Sequence, residues 1–117
     1  MEPIKKSAID KVFGKIFKEY RVKNRITQED LSEKLGISPK YISRIENGNS
    51  GIKTQTLISY INLLGISPNV LYKDFIKNED LKRKTLIFEK ISNLSEDKLE
   101  LLDSIIDLLE NFNYTLL

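Results

Sequence analysis

The chain has 117 residues, 40% of them hydrophobic and 31% charged, with 19 basic against 17 acidic side chains and neither cysteine nor histidine. That length holds one small core with an extension and is too short for two ordinary domains. The missing residue types remove disulfide frameworks, zinc sites, cysteine nucleophiles and imidazole bases. With no glycine-rich phosphate loop either, an enzyme is not expected and no cofactor is called for.

Seven helices and no strand are predicted, an all-α fold. Ser7 with Asp10 reads as the cap of a first helix, whose Ile9, Val12, Phe13, Ile16, Phe17 and Tyr20 keep the i, i+3, i+4 spacing of a core-facing stripe. Thr27 caps a second helix with Asp30 as reciprocal acceptor, Leu31 and Leu35 lie one turn apart on its inner face, and Gly36 ends it. Ser38 and Pro39 restart the chain as cap and first helical residue of a third helix. On it Ile42 and Ile45 point one way, while Lys40, Ser43, Arg44 and Asn47 point the other. A loop from Asn47 to Lys53, rich in glycine and small polar residues, leads to a fourth helix from about Thr54 to Leu64, with Leu57, Ile61 and Leu64 inward and Gly65 at its end. A fifth helix starts at Ser67-Pro68 and carries Val70, Leu71 and Phe75. Lys77-Asn78-Glu79-Asp80 reads as a polar joint, so residues 1–76 are expected to form one domain and residues 77–117 a two-helix appendage, the last helix capped by Ser95.

The second and third helices have the pattern of a DNA-reading helix-turn-helix. A helical hairpin in an ordinary α-bundle, its polar face simply solvated, gives the same periodicity. Against that stand the short interhelix turn, a polar face that mixes Lys and Arg with amides and hydroxyls but holds no acid, and Glu46 lying off that face. The stretch resembles the lambda-repressor-like, Cro/CI-type (XRE) helix-turn-helix family at Thr27, Gln28, Leu31, Ser32, Gly36, Ile37, Ser38, Ile42, Ser43, Ile45, Glu46 and Gly48. The resemblance implies a five-helix DNA-binding domain in which Gln28 touches a phosphate and Ser38, Lys40, Tyr41, Ser43 and Arg44 face the major groove or its walls. It also implies that Arg21 pairs with Glu46 to hold the first helix against the third. The loop would follow the DNA backbone, with Asn47 and Lys53 in contact with it. Two positions depart from the family pattern: Pro39 stands where relatives often place a base-reading side chain, and Ile52-Lys53-Thr54 replaces the usual proline and cap before the fourth helix.

Charge divides as the helices do. Residues 1–76 hold 13 basic against 8 acidic side chains, and residues 77–117 hold 6 against 9, so the half with the motif carries the positive excess. On the last helix Leu99, Leu101, Leu102, Ile105, Ile106, Leu108, Leu109 and Phe112 fill about half the circumference, more than one neighbouring helix covers. Part of that face can pack on the sixth helix and the first domain; the reading preferred here is dimerisation with a second copy, through Leu101, Leu102, Ile105, Ile106, Leu108, Leu109 and Phe112.

No apolar run approaches about 18 residues and the first residues lack the hydrophobic stretch of a signal peptide, so a cytoplasmic protein without a membrane partner is expected. The function expected is a sequence-specific transcriptional regulator, a repressor binding a palindromic operator as a homodimer. Arg44 is the candidate for a guanine edge, Lys40 for guanine or a nearby phosphate, and Tyr41 and Ser43 for phosphate or thymine methyl contacts. The rival is a protein-interaction module or antitoxin-type partner protein whose C-terminal helices bind another protein and whose DNA binding is secondary.

Overall fold

Short-range signals place most helix ends in the computed structural model, which describes residues 2–112. The elements are α1 (Lys6–Lys23), α2 (Gln28–Leu35), α3 (Pro39–Glu46), α4 (Thr54–Leu64), α5 (Pro68–Tyr72), a 3-10 turn (Lys73–Phe75), α6 (Glu79–Ser92) and α7 (Glu96–Glu110), with no strand among the described residues. The Thr27 hydroxyl accepts the Asp30 N–H at 3.0 Å and the Ser38 hydroxyl accepts the Tyr41 N–H at 3.1 Å, so α2 and α3 both start on side-chain caps. Between them Gly36 takes the left-handed conformation at φ 68°, and its N–H reaches back to Ser32 O at 2.9 Å. Asn78 caps α6 in the same way, accepting the Leu81 N–H at 3.1 Å.

Two expected caps do not form. α1 begins one residue before Ser7, at Lys6, with Lys5 in the cap position and making no side-chain bond. The Ala8 and Ile9 N–H groups both turn to Lys5 O, which draws Ser7 into the helix, and Asp10 pairs instead with Lys6 at 3.6 Å. Ser95 does sit at the start of α7, yet its hydroxyl caps nothing; the acids Glu96 and Asp97 in the first turn remain to offset the helix dipole.

By its internal contacts the chain divides into two units, Met1–Ile76 and Lys77–Leu117. The first is built on a core of Phe13, Phe17, Leu31, Ile42, Ile45, Tyr60, Leu64, Ile66 and Leu71, to which α1 through α5 all contribute or adjoin. Ile9, Val12, Ile16, Tyr20, Leu35, Leu57, Ile61 and Phe75 pack on its margin, as their spacing requires, while Val70 is only half-buried. Phe13 stands at the centre of an aromatic cluster, edge-on to Phe17, Tyr72 and Phe75 at centroid distances of 6.1, 5.5 and 6.3 Å.

Close backbone approach fixes the crossing of α1 over α3. A Cβ on Gly14 would come within 2.2 Å of Ile45 O and 3.0 Å of Glu46 O, so only glycine lets the helices meet at this depth. One turn earlier on α1, Gly48 at φ 73° fits against the Lys11 backbone. α3 is therefore seated by α1 at its C-terminal end and by its own apolar floor.

The second unit is the helix pair α6 and α7. Among its described residues only Thr85 is buried, its hydroxyl donating to Leu81 O at 2.8 Å, and no apolar side chain is. Leu101, Ile105, Ile106, Leu108 and Leu109 on α7 are exposed, as are Leu81, Leu86, Ile87 and Phe88 on α6; Leu102 is half-buried, and Phe112, expected on the last helix, is exposed but lies beyond the Asn111 cap that ends α7. No described helix is long and apolar enough to cross a membrane.

Candidate nucleic-acid interface

Burying Ile42 and Ile45 turns the opposite face of α3 to solvent. On that face Lys40, Arg44 and Asn47 are exposed, Ser43 is half-buried, and Ser38 is exposed at the helix start. The Asn47 amide lies 3.4 Å from the Ser43 hydroxyl, one turn back on the same face. Pro39 fills the first helical position, where its missing N–H is not needed.

The orientation of α3 is held from below by an ion pair whose side chains are 12% and 1% exposed, Arg21 and Glu46. Arg21 Nε donates to one Glu46 oxygen at 2.7 Å and Nη2 to the other at 2.9 Å, the two-pronged geometry that suits guanidinium and carboxylate. Its third nitrogen, Nη1, donates to Ile26 O at 2.8 Å in the turn where Arg25 adopts φ 58°. The bond to Glu46 raises the Arg21 pKa against the opposing pull of burial. α1, the α1–α2 turn and α3 are thus joined through one side chain.

Gln28, expected at a phosphate, donates from Nε2 to Glu46 Oε1 at 3.2 Å and is half-buried. Its first structural task is to complete the shell around the buried carboxylate, a role that the sequence pattern does not distinguish from backbone contact.

Tyr41 lines the same face, but its hydroxyl is turned to the loop. It donates to Gly51 O and accepts the Lys53 N–H, each at 3.3 Å. Since a phenol has one proton to give, hydrogen-bond donation to a phosphate is not what this geometry offers. The contact does explain how α4 starts without the usual proline and cap: Lys53 holds the cap position with no side-chain bond of its own, and Tyr41 occupies its N–H. The ring also lies 5.9 Å from the Arg44 guanidinium, an attraction that steadies Arg44 on the exposed surface.

Beside α3 runs an open groove of about 720 Å³ lined by Lys6, Ile37, Ser38, Tyr41, Arg44, Ser50, Gly51, Ile52, Lys53 and Thr56. Three of these are cations and none is a carboxylate. The groove joins the third helix to the loop, as the pattern implies, and adds Lys6 from the start of α1, which helical periodicity alone gives no reason to place there. Lys40, Ser43, Asn47 and Gln28 lie outside the groove lining. A face of this kind, with amides and hydroxyls set among cations on the exposed side of a helix, matches the edges and backbone of a nucleic-acid duplex.

Residues 17–71 match the family model described as Helix-turn-helix. That span runs from Phe17 on α1 to Leu71 on α5 and takes in the whole of α2, α3 and α4. No curated protein matches the chain.

Proposed function

The first unit of this chain belongs to the lambda-repressor-like, Cro/CI-type helix-turn-helix family of DNA-binding regulators, and from that premise we propose a sequence-specific repressor that binds a palindromic operator as a homodimer. The observation that carries the reading is the exposed, acid-free face of α3, fixed by the Arg21–Glu46 pair and flanked by the cationic groove. On this reading α3 enters the major groove. Arg44, steadied on the Tyr41 ring, makes a bidentate bond to a guanine edge, and Lys40 reaches guanine or the adjacent phosphate. Ser38 and Ser43 approach the groove wall, Tyr41 offers its ring to a thymine methyl, and Gln28, Asn47 and Lys53 set the register on the backbone. Repression follows from occlusion of polymerase and needs no catalytic group.

The dimer is supported by the second unit, which buries no apolar side chain among its described residues. Two exposed helices with that much apolar surface gain stability by closing on a second pair, and a two-fold assembly presents two α3 helices to half-sites one helical turn apart. Charge agrees: α7 carries six acids against one lysine, whereas α6 carries four bases against three acids, so a second copy brings unlike helices together. Selection of bound sites from random duplexes, repeated with Arg44→Ala, tests the reading. The parent should return a two-fold symmetric site, and the variant should lose about 1–3 kcal/mol and its preference at one base pair of each half-site. Identical preference profiles would remove Arg44 from base reading, and failure to enrich any site would refute sequence-specific binding.

A further inference from the structure

Lys6 stands on the additional first turn of α1, opened by the Ala8 and Ile9 N–H bonds to Lys5 O. Its stem runs over the backbone of Gly51: a Cβ there would lie 3.2 Å from both Cε and Nζ of Lys6. It shares the groove with Arg44 and Lys53, although Lys53, the last cation of the family-matched loop, lies 47 residues further along the sequence and Lys6 precedes the matched span altogether. The side chain is 81% exposed, and its ion pair with Asp10, at 3.6 Å, involves a carboxylate only 14% exposed. Such i, i+4 pairs with an exposed lysine contribute little, so Asp10 steadies the lysine stem without committing its charge.

We propose that Lys6 is a phosphate anchor: the strand of duplex that follows the α3–α4 loop is held between Lys6 and Lys53, which brackets the Gly51 backbone with two cations. This deepens the DNA-binding reading and rests on it. The ligand chemistry is the phosphodiester backbone, without regard to base sequence, so the consequence is affinity and register, not specificity.

The test uses the full chain and a labelled random-sequence duplex, with anisotropy titrations repeated over a range of salt concentrations. Each phosphate neutralised contributes about 0.9 to the slope of log affinity against log salt. Lys6→Gln should reduce the slope by about that amount and weaken all sequences alike, and Lys6→Arg should restore it. Lys18→Gln supplies the control, since it removes the same charge from an exposed site on α1 outside the groove. If Lys6→Gln and Lys18→Gln show the same slope and affinity while the parent binds, the anchor is refuted and the DNA reading stands. A parent that binds no duplex even at low salt refutes the DNA reading and the anchor together.

Discussion

Gly14→Ala sets two known effects against each other inside one helix. Replacing a mid-helix glycine by alanine ordinarily stabilises by about 0.5–1 kcal/mol, through the smaller entropy of the unfolded chain. Here the new methyl would sit 2.2 Å from Ile45 O, against about 3.3 Å for a normal C···O approach, and the obstacle is backbone that no rotamer change can move aside. α1 and α3 must part by about 1 Å. Overpacking of that kind costs about 1–3 kcal/mol. The same separation would stretch the 2.7 and 2.9 Å Arg21–Glu46 bonds beyond hydrogen-bonding range and bring in part of the roughly 3–5 kcal/mol that breaking a buried pair costs. The net expectation is a loss of about 2–4 kcal/mol, lowering the melting temperature by about 10 °C or more in a domain of this size. Thermal and urea denaturation would be followed beside Gly36→Ala, where φ is 68° but nothing lies within 4 Å, so that only the left-handed backbone, at about 1–2 kcal/mol, opposes the side chain. A Gly14→Ala protein as stable as the parent, or more stable than Gly36→Ala, would refute the close-crossing account.

Glu46→Ala should strand Arg21 and lower stability by about 3–5 kcal/mol, and a melting temperature within about a degree of the parent would contradict a buried pair. Tyr60→Phe should stabilise by up to about 1–3 kcal/mol, because the buried Tyr60 hydroxyl has no hydrogen-bond partner among the described residues. Burial first, and then the Glu46 charge, hold that phenol's pKa well above its ordinary value; the parent should therefore lose stability as pH rises beyond about 10, where only the unfolded chain releases the proton, and the variant should lose less in an alkaline melting series. Ile105→Asp with Leu109→Asp should give a monomer by sedimentation and reduce affinity for a selected operator about 100-fold or more, with the melting of the first unit unchanged; a dimer that persists would remove α7 from the interface.

Much of the first unit was legible because its signals are local. Thr27, Gly36, Ser38 and Pro39 act on their own neighbours within four residues, and the apolar spacing from Ile9 to Tyr20 follows from helical geometry whatever the partner. What escaped was tertiary. Gly14 interrupts a good helix for the sake of a carbonyl 31 residues away, and nothing in the spacing around it names Ile45. Tyr60 and Ile66 are both buried, and periodicity does not single them out as core: the first carries a polar atom and the second lies beyond the Gly65 stop. The family pattern points Tyr41 and Gln28 outward and gives no sign that their polar atoms also bond Gly51, Lys53 and Glu46 inside the unit. Ser7 has the local sequence of a cap, and the backbone bonds that pass it by go to Lys5, two residues earlier.

The two hydrogen bonds of the Tyr41 hydroxyl also bear on how the domain meets its ligand. They tie Gly51 and Lys53 to the reading helix, so the segment from Asn47 to Lys53 does not have to be ordered when DNA arrives. The conformational entropy of that loop is lost on folding, and association becomes the docking of a surface already in shape. On the function proposed above, backbone contact and base contact would then share one rigid body, and a duplex that placed its phosphates correctly would also place its base edges opposite Arg44.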